Sequence, residues 1–460
     1  MSHLSEDQLA QLNVLIYQMS GTYPDGMTVN QIAQEMLKNQ VRIEKYSVAE
    51  SKAFFQALCN DKQLSRYYIQ RFDQNAGVRN ACFTDDLFLP TDVNVIFRGT
   101  GNADEWRDNG EGGYLSDSEC QRAAATYITQ LPKNFGNSMT VSGHSKGGNK
   151  AQYATIITDR IERCISFDGQ GFSKQFLEKY ALEIKAKKNR ISSISAANDY
   201  VNILFYPIAA RQVYIDTEQF ADFTDYHYPE IILEANHLRP TTVQNGRLKV
   251  IGEYTQWLQE TPQLSKQAKK QIYLSLTQVI AKRGKNLSMT AWLDAVLSIS
   301  DLSIGYFDNF MRDKLSRTNP NYKLLLAISV QLLDYRPQKY QILRQIYNQL
   351  QLKEINASGT VKKKSVDNQT MNNYIDQLIR IDTAELRSVA LSLQSLSDRI
   401  AQLYYREQTL LRKMVAEKEF NQISNSKLDY QASSALSSIA GYLMETATNF
   451  EKIEHIIQGG

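Results

Sequence analysis

SMTVSGHSKGGNKAQYATIIT, residues 138–158, joins a short β-branched run to a helical run through Gly143-His144-Ser145-Lys146-Gly147. A Gly-x-Ser-x-Gly turn between strand and helix places its serine at a strained backbone angle, with the hydroxyl above the sheet. The glycines on either side let strand and helix approach without a Cβ clash. The helix N-terminus behind Ser145 offers partial positive charge and free N–H groups to an anion. A glycine-rich turn with no chemistry is the alternative reading of the bare pentapeptide. The flanking strand and helix favour a nucleophile.

Working outward, VNVIF (93–97), CISF (164–167) and ISSIS (191–195) repeat the β-branched signal. Helical patterns fall between them, at 119–130, 147–160 and 172–186. Such β-α-β-α alternation predicts a mainly parallel sheet covered by helices. Runs at 212–215 and 248–251 are expected as further strands. Upstream, 8–19 and 29–37 read as helices.

The chain has 460 residues, 22% charged and 42% hydrophobic, with a net charge of +3. That length predicts at least two domains. The near-neutral charge points away from nucleic acid and from a polybasic membrane anchor. The apolar run around 324–333 is too short to span a bilayer, and MSHLSEDQLAQLN has no signal-peptide pattern. Cys59, Cys82, Cys120 and Cys164 show no CxxC spacing, so no zinc site is expected.

A serine nucleophile needs an imidazole base and a carboxylate to orient it, and in this chain order both follow the serine. His3 precedes it, His144 adjoins it, and His455 lies far downstream in a helical pattern, which leaves His227 and His237. Asp199 follows the run ISSIS at an expected strand end, and Asp168 ends the preceding strand. The backbone N–H of Lys146, next to the nucleophile, is the expected first oxyanion donor.

GHSKGG, VNVIFRGT (93–100) and NDYVNILFYP (198–207) resemble, in order and spacing, the class 3 lipases and more closely their Mbeg1-like branch, over about residues 8–250. The resemblance implies an α/β-hydrolase acting on lipid esters, phospholipid or acylglycerol, with no metal or cofactor. It implies Thr100 of the FRGT strand as second oxyanion donor and Asp199 rather than Asp168 as the acid. It favours His237 over His227 as base, because His237 and Pro240 form an H-x-x-P segment before Gly246 and Leu248. Arg98 reads either as a reader of substrate charge or as a structural arginine paired with a carboxylate. Residues 101–117 read either as a lid carrying Trp106 or as a surface loop.

Near 260 the texture becomes glycine-poor and helical, with helices expected at 263–283, 288–299, 301–316, 320–334 and 337–354. A 3-4-3-4 apolar seam runs through Leu386, Val389, Leu393, Leu396, Ile400 and Leu403, and another from Leu428 to Ile456. Heptad seams of this kind predict an antiparallel helical hairpin. The expected domains are therefore an α/β-hydrolase over 1–258 and an all-α domain over 259–460, its hairpin at 366–460. That architecture resembles type VII-secreted lipase toxins with a C-terminal LXG-like module. It implies export without a cleavable signal peptide from a cytoplasmic pool, WXG100-like helical partners on the hairpin, and an immunity protein on the lipase domain. The competing expectation is a cytosolic esterase or thioesterase with a helical oligomerisation domain.

Overall fold

A computed structural model describes residues 3–346, apart from 74–78, 102, 262–264, 282–287, 298–300, 315–318, 320–321, 337–339 and 341–342. The hairpin expected at 366–460 lies outside the described residues. Three helices come first: α1 (Glu6–Gln18), α2 (Val29–Lys38) and α3 (Val48–Asn60). Each begins at a capping box, Ser5 with Gln8, Thr28 with Gln31 and Ser47 with Glu50, which satisfies two of the unpaired N–H groups at the helix start.

The sheet follows. Its strands are β1 (Tyr68–Asp73), β2 (Asn80–Thr84), β3 (Val93–Phe97), β4 (Met139–His144), β5 (Ile161–Phe167), β6 (Ile191–Ala196) and β7 (Arg211–Ile215). The short strands β8 (Leu233–Glu234) and β9 (His237–Leu238) form a separate hairpin, and β10 (Thr241–Thr242) closes the sheet edge. The order is β1-β2-β3-β4-β5-β6-β7-β10. Strands β3 to β7 run parallel, and β1, β2 and β10 pair antiparallel at the two edges. The parallel centre is buried on both faces, as crossover helices require: β3 and β4 have no exposed residue. The crossover helices are α4 (Ala103–Glu111) and α5 (Glu119–Gln130) after β3, α6 (Lys146–Ile157) after β4, and α7 (Lys174–Lys179) with α8 (Ala181–Lys187) after β5. This is the mainly parallel, helix-covered sheet expected from the alternation, and it is consistent with the α/β-hydrolase that the resemblance implied. It brings the C-terminal ends of β3 to β6 to one side of the sheet, where sites in open α/β sheets gather.

Two expectations are corrected. Residues 248–251 are not a strand; they belong to α9 (Gly246–Glu260), which starts where the Asn245 side chain accepts the Arg247 N–H. Buried Leu248, Ile251, Thr255 and Leu258 follow a 3-4-3 spacing, a helical period that the short β-branched run disguised. The boundary at 258 also falls inside one compact unit, Met1–Glu354. Helix α9 is tied to the loop after β6, where Thr255 Oγ1 accepts from Phe205 N–H at 3.1 Å and Gln256 Nε2 donates to Phe205 O at 2.9 Å. The helices α10 (Lys266–Ala281), α11 (Met289–Leu297), α12 (Asp301–Lys314) and α13 (Tyr322–Tyr335) follow the predicted order and share the core. Trp292 of α11, 1% exposed, packs against Tyr200 and Phe223 at 5.4 and 5.2 Å between ring centroids.

Candidate active site

Ser145 sits between β4 and α6 with φ 60° and ψ −125°, a conformation a non-glycine residue keeps only when its surroundings enforce it. Those surroundings are tight: a Cβ on Gly143 would lie 2.2 Å from the Gly147 carbonyl, and one on Gly147 would lie 1.9 Å from Phe97 O. The elbow thus wedges β4 and α6 against β3, and Ser145 N–H is held by Phe167 O at 2.8 Å.

His227 Nε2 lies 2.8 Å from Ser145 Oγ, and His227 Nδ1 lies 2.5 Å from Asp199 Oδ1. All three side chains are buried. Asp199, just past β6, also accepts N–H groups from Val201 at 3.1 Å and Asn202 at 2.6 Å. His227 ends a 3-10 turn, Phe223–His227, that Asp222 starts by accepting Thr224 N–H. Aromatic packing fixes the turn, with Tyr200 at 5.4 Å from the His227 ring and 5.7 Å from that of Phe223.

The structure therefore brings Ser145 and Asp199 together with His227. The expectation for His237 is corrected: its side chain is 75% exposed and its Nδ1 meets Asp7 at 2.8 Å. The tight turn of the β8–β9 hairpin, with Ala235 at φ 46° and Asn236 at φ 68°, turns His237 outward against the start of α1. Sequence context separated the two residues in a way the motif did not. His227 lies among Phe223, Tyr226 and Tyr228, whereas His237 lies among Asn236, Arg239 and Pro240.

Asp168, at the end of β5 with φ 48°, does not contact Ser145 through His227. It accepts Ala196 N–H at 2.8 Å and stands 3.8 Å from His144 Nε2. Burial pushes both buried carboxyls above the usual carboxylate range, and the charge of Asp199 raises Asp168 as well. Backbone N–H donors from Asn202, Val201 and Tyr200 oppose the shift at Asp199.

Lys146 N–H opens α6 directly behind the nucleophile, and Thr100 lines the same cavity. Thr100 Oγ1 accepts from Asn109 Nδ2 at 2.9 Å, which leaves its own O–H available as a donor. The Lys146 side chain is buried against Asp108 of α4. The segment 101–117 is not a plain surface loop: α4 occupies it with Asp108, Asn109 and Gly110 buried, and Trp106 lines the cavity over Ser145.

The cavity over Ser145 measures about 360 Å³ and is walled by Tyr17, Arg98, Trp106, Tyr228 and Pro229 among others. Arg98 lies over the Tyr17 ring, 5.1 Å from its centroid, and among the described residues no carboxylate stands within ion-pair distance of it. Tyr17 escaped the sequence reading. Its hydroxyl meets His144 Nδ1 at 2.8 Å, and Asn13, one turn earlier on α1, donates to Ser142 Oγ at 2.8 Å. Two polar residues at i and i+4 on an otherwise apolar helix face were the available signal. Among the described residues there is no cluster of metal-ligand type, and no helix is long and apolar enough to cross a membrane.

Residues 58–221 match the family model described as Mbeg1-like, the class 3 lipase-like branch whose motifs the chain carries. The matched segment contains Thr100, Ser145, Lys146 and Asp199, and His227 lies just past its end. No curated protein and no solved structure matches the chain.

Proposed function

We propose that this lipase-like hydrolase is a serine carboxylic-ester hydrolase cleaving fatty-acyl esters of membrane lipids. The observation that carries the reading is the buried Ser145–His227–Asp199 chain of contacts. His227 Nε2 takes the Ser145 proton as Oγ attacks the ester carbonyl, and Asp199 holds the ring in the tautomer that makes Nε2 the acceptor. Lys146 N–H and Thr100 receive the negative charge that develops on the carbonyl oxygen. The C–O bond to the alcohol breaks, the alcohol leaves with the proton from His227, and an acyl group remains on Ser145. Water, deprotonated by the same ring, then releases the fatty acid and restores the serine.

Fatty-acid release from phospholipid vesicles by the full chain, beside Ser145→Ala, tests this. Release by the wild type alone supports it. Absence of release, together with no fluorophosphonate labelling of Ser145, overturns it.

The toxin reading is a separate proposal. It rests on the heptad seams of 366–460, which would carry helical WXG100-like partners during type VII export from the cytoplasm, with an immunity protein on the hydrolase. Deleting 366–460 should abolish export and leave hydrolysis intact; an exported truncate would return the chain to the cytosolic esterase or thioesterase alternative.

A further inference from the structure

Helix α4 touches both residues that carry the proposed oxyanion donors, Lys146 through its side chain and Thr100 at the hydroxyl itself. Asp108 accepts from Lys146 Nζ, and also from Ser118 Oγ at 2.7 Å and Cys120 N–H at 2.9 Å. Asn109, the next residue, donates to Thr100 Oγ1 at 2.9 Å. The following residue, Gly110, faces away from both, onto α10. A Cβ at Gly110 would lie 3.0 Å from Tyr273 O and from Thr277 Oγ1, and 3.1 Å from Leu274 Cα. Just beyond α4, a Cβ at Gly113 would lie 2.5 Å from the Phe205 ring and 3.1 Å from the Tyr273 ring. Tyr273 is 1% exposed beneath this contact, its ring set edge-on to Phe205 at 5.2 Å. Helix α4 is therefore gripped between the nucleophile helix and α10, with backbone meeting backbone on the α10 side. Two of those three α10 neighbours are main-chain atoms, which cannot swing aside as a flexible side-chain end would.

We propose that α10 positions the oxyanion hole, with Gly110 and Tyr273 as positioning residues for the Thr100 hydroxyl. The inference rests on the hydrolase reading above. It adds that residues 266–281, beyond the Mbeg1-like segment, belong to the catalytic scaffold. The mechanical path is short. A side chain at Gly110 pushes α4 off α10, Asn109 moves with it, and the Thr100 hydroxyl loses the bond that orients it. Ångström-scale misplacement of such a group can cost on the order of 100-fold in rate, and the loss falls on kcat because the oxyanion is absent from the bound ester and develops only as Ser145 attacks.

The test is a double-mutant cycle on a soluble acyl ester, measuring kcat and KM for wild type, Gly110→Val, Thr100→Ala and the double variant. Gly110→Val is expected to lower kcat roughly 30-fold with KM within about twofold, and to add less than about threefold once Thr100 is alanine. Gly110→Ala, a single added carbon, should give the same pattern at about fivefold. Tyr273→Ala, from the α10 side, should give it again. A Gly110 effect of full size in the Thr100→Ala background overturns the proposal, because the contact then supports something other than the hydroxyl. Unchanged kcat in both Gly110→Ala and Tyr273→Ala overturns it as well. Wild type beside Ser145→Ala reads the hydrolase assignment on its own, so Ser145-dependent turnover with silent Gly110 variants sinks this inference alone.

Discussion

His227 Nε2 lies 2.8 Å from Ser145 Oγ, although 82 residues of chain separate them. In the proposed mechanism this contact makes His227 the base. His227→Ala is expected to lower kcat by about 10⁴-fold or more with KM little changed, as loss of a member of a serine–imidazole pair does. His237→Ala, at an exposed side chain held by Asp7, should stay within about twofold. Steady-state kinetics on one ester substrate check both. A silent His227→Ala would dismiss the relay.

The two buried aspartates should separate by function. Asp199→Asn leaves the geometry in place but stops holding the His227 ring in the productive tautomer, and roughly 10⁴-fold in kcat should go with it. Asp168→Asn keeps an oxygen to accept Ala196 N–H and replaces a carboxyl that faces His144 rather than His227, so its effect on kcat should be smaller by at least about tenfold. Equal losses would mean that the pair acts as one unit.

Asp168 also predicts a pH dependence of stability. Burial, with the charge of Asp199, raises its folded-state pKa above the unfolded value. Between the two values the folded protein binds the additional proton. The stability contributed by the neutral carboxyl is therefore complete below the unfolded pKa, near 4, and is lost as pH rises toward the folded one. The slope for one proton is about 1.4 kcal/mol per pH unit. Asp168→Asn does not titrate, so it should gain on the wild type by up to that amount per unit above about pH 4. Urea unfolding of both proteins at pH 5, 6 and 7 measures the gap. Parallel curves would show that Asp168 is ionised in the fold.

The central strands were legible because β3 to β6 carry short β-branched runs, as strands largely buried between helices do. The elbow was legible because strand, turn and helix adjoin in the chain and Gly143 meets Gly147 within a few residues, although Gly147 answers to Phe97 on β3. The edge strand β1, YIQRFD, was not, since only Ile69 along it is fully buried. The base was not legible from a motif. His227 is placed by packing with Tyr200 and by Asp199, contacts that close over long stretches of chain, whereas the H-x-x-P pattern around His237 is local. The change of texture near residue 260 marked a change from mixed to helical elements, and was read as a change of core. Buried Trp292 and Tyr273 show that the core continues past it.

That continuity makes the last prediction. Trp292 packs against Tyr200, next to Asp199, and against Phe223, in the turn that carries His227. A hydrolase ending at residue 258 would expose both rings and lose α10 and α11. It should be insoluble, or soluble and without turnover. Trp292→Ala in the full chain isolates the effect. Emptying a site this buried should cost about 3–5 kcal/mol of stability, and the loosened acid and base loops should lower kcat at temperatures where the protein is still folded. Calorimetry and kinetics on the same preparation separate the two effects. A 1–258 fragment with wild-type turnover would show that the hydrolase core closes before α10, and that the contacts of Trp292 only decorate it.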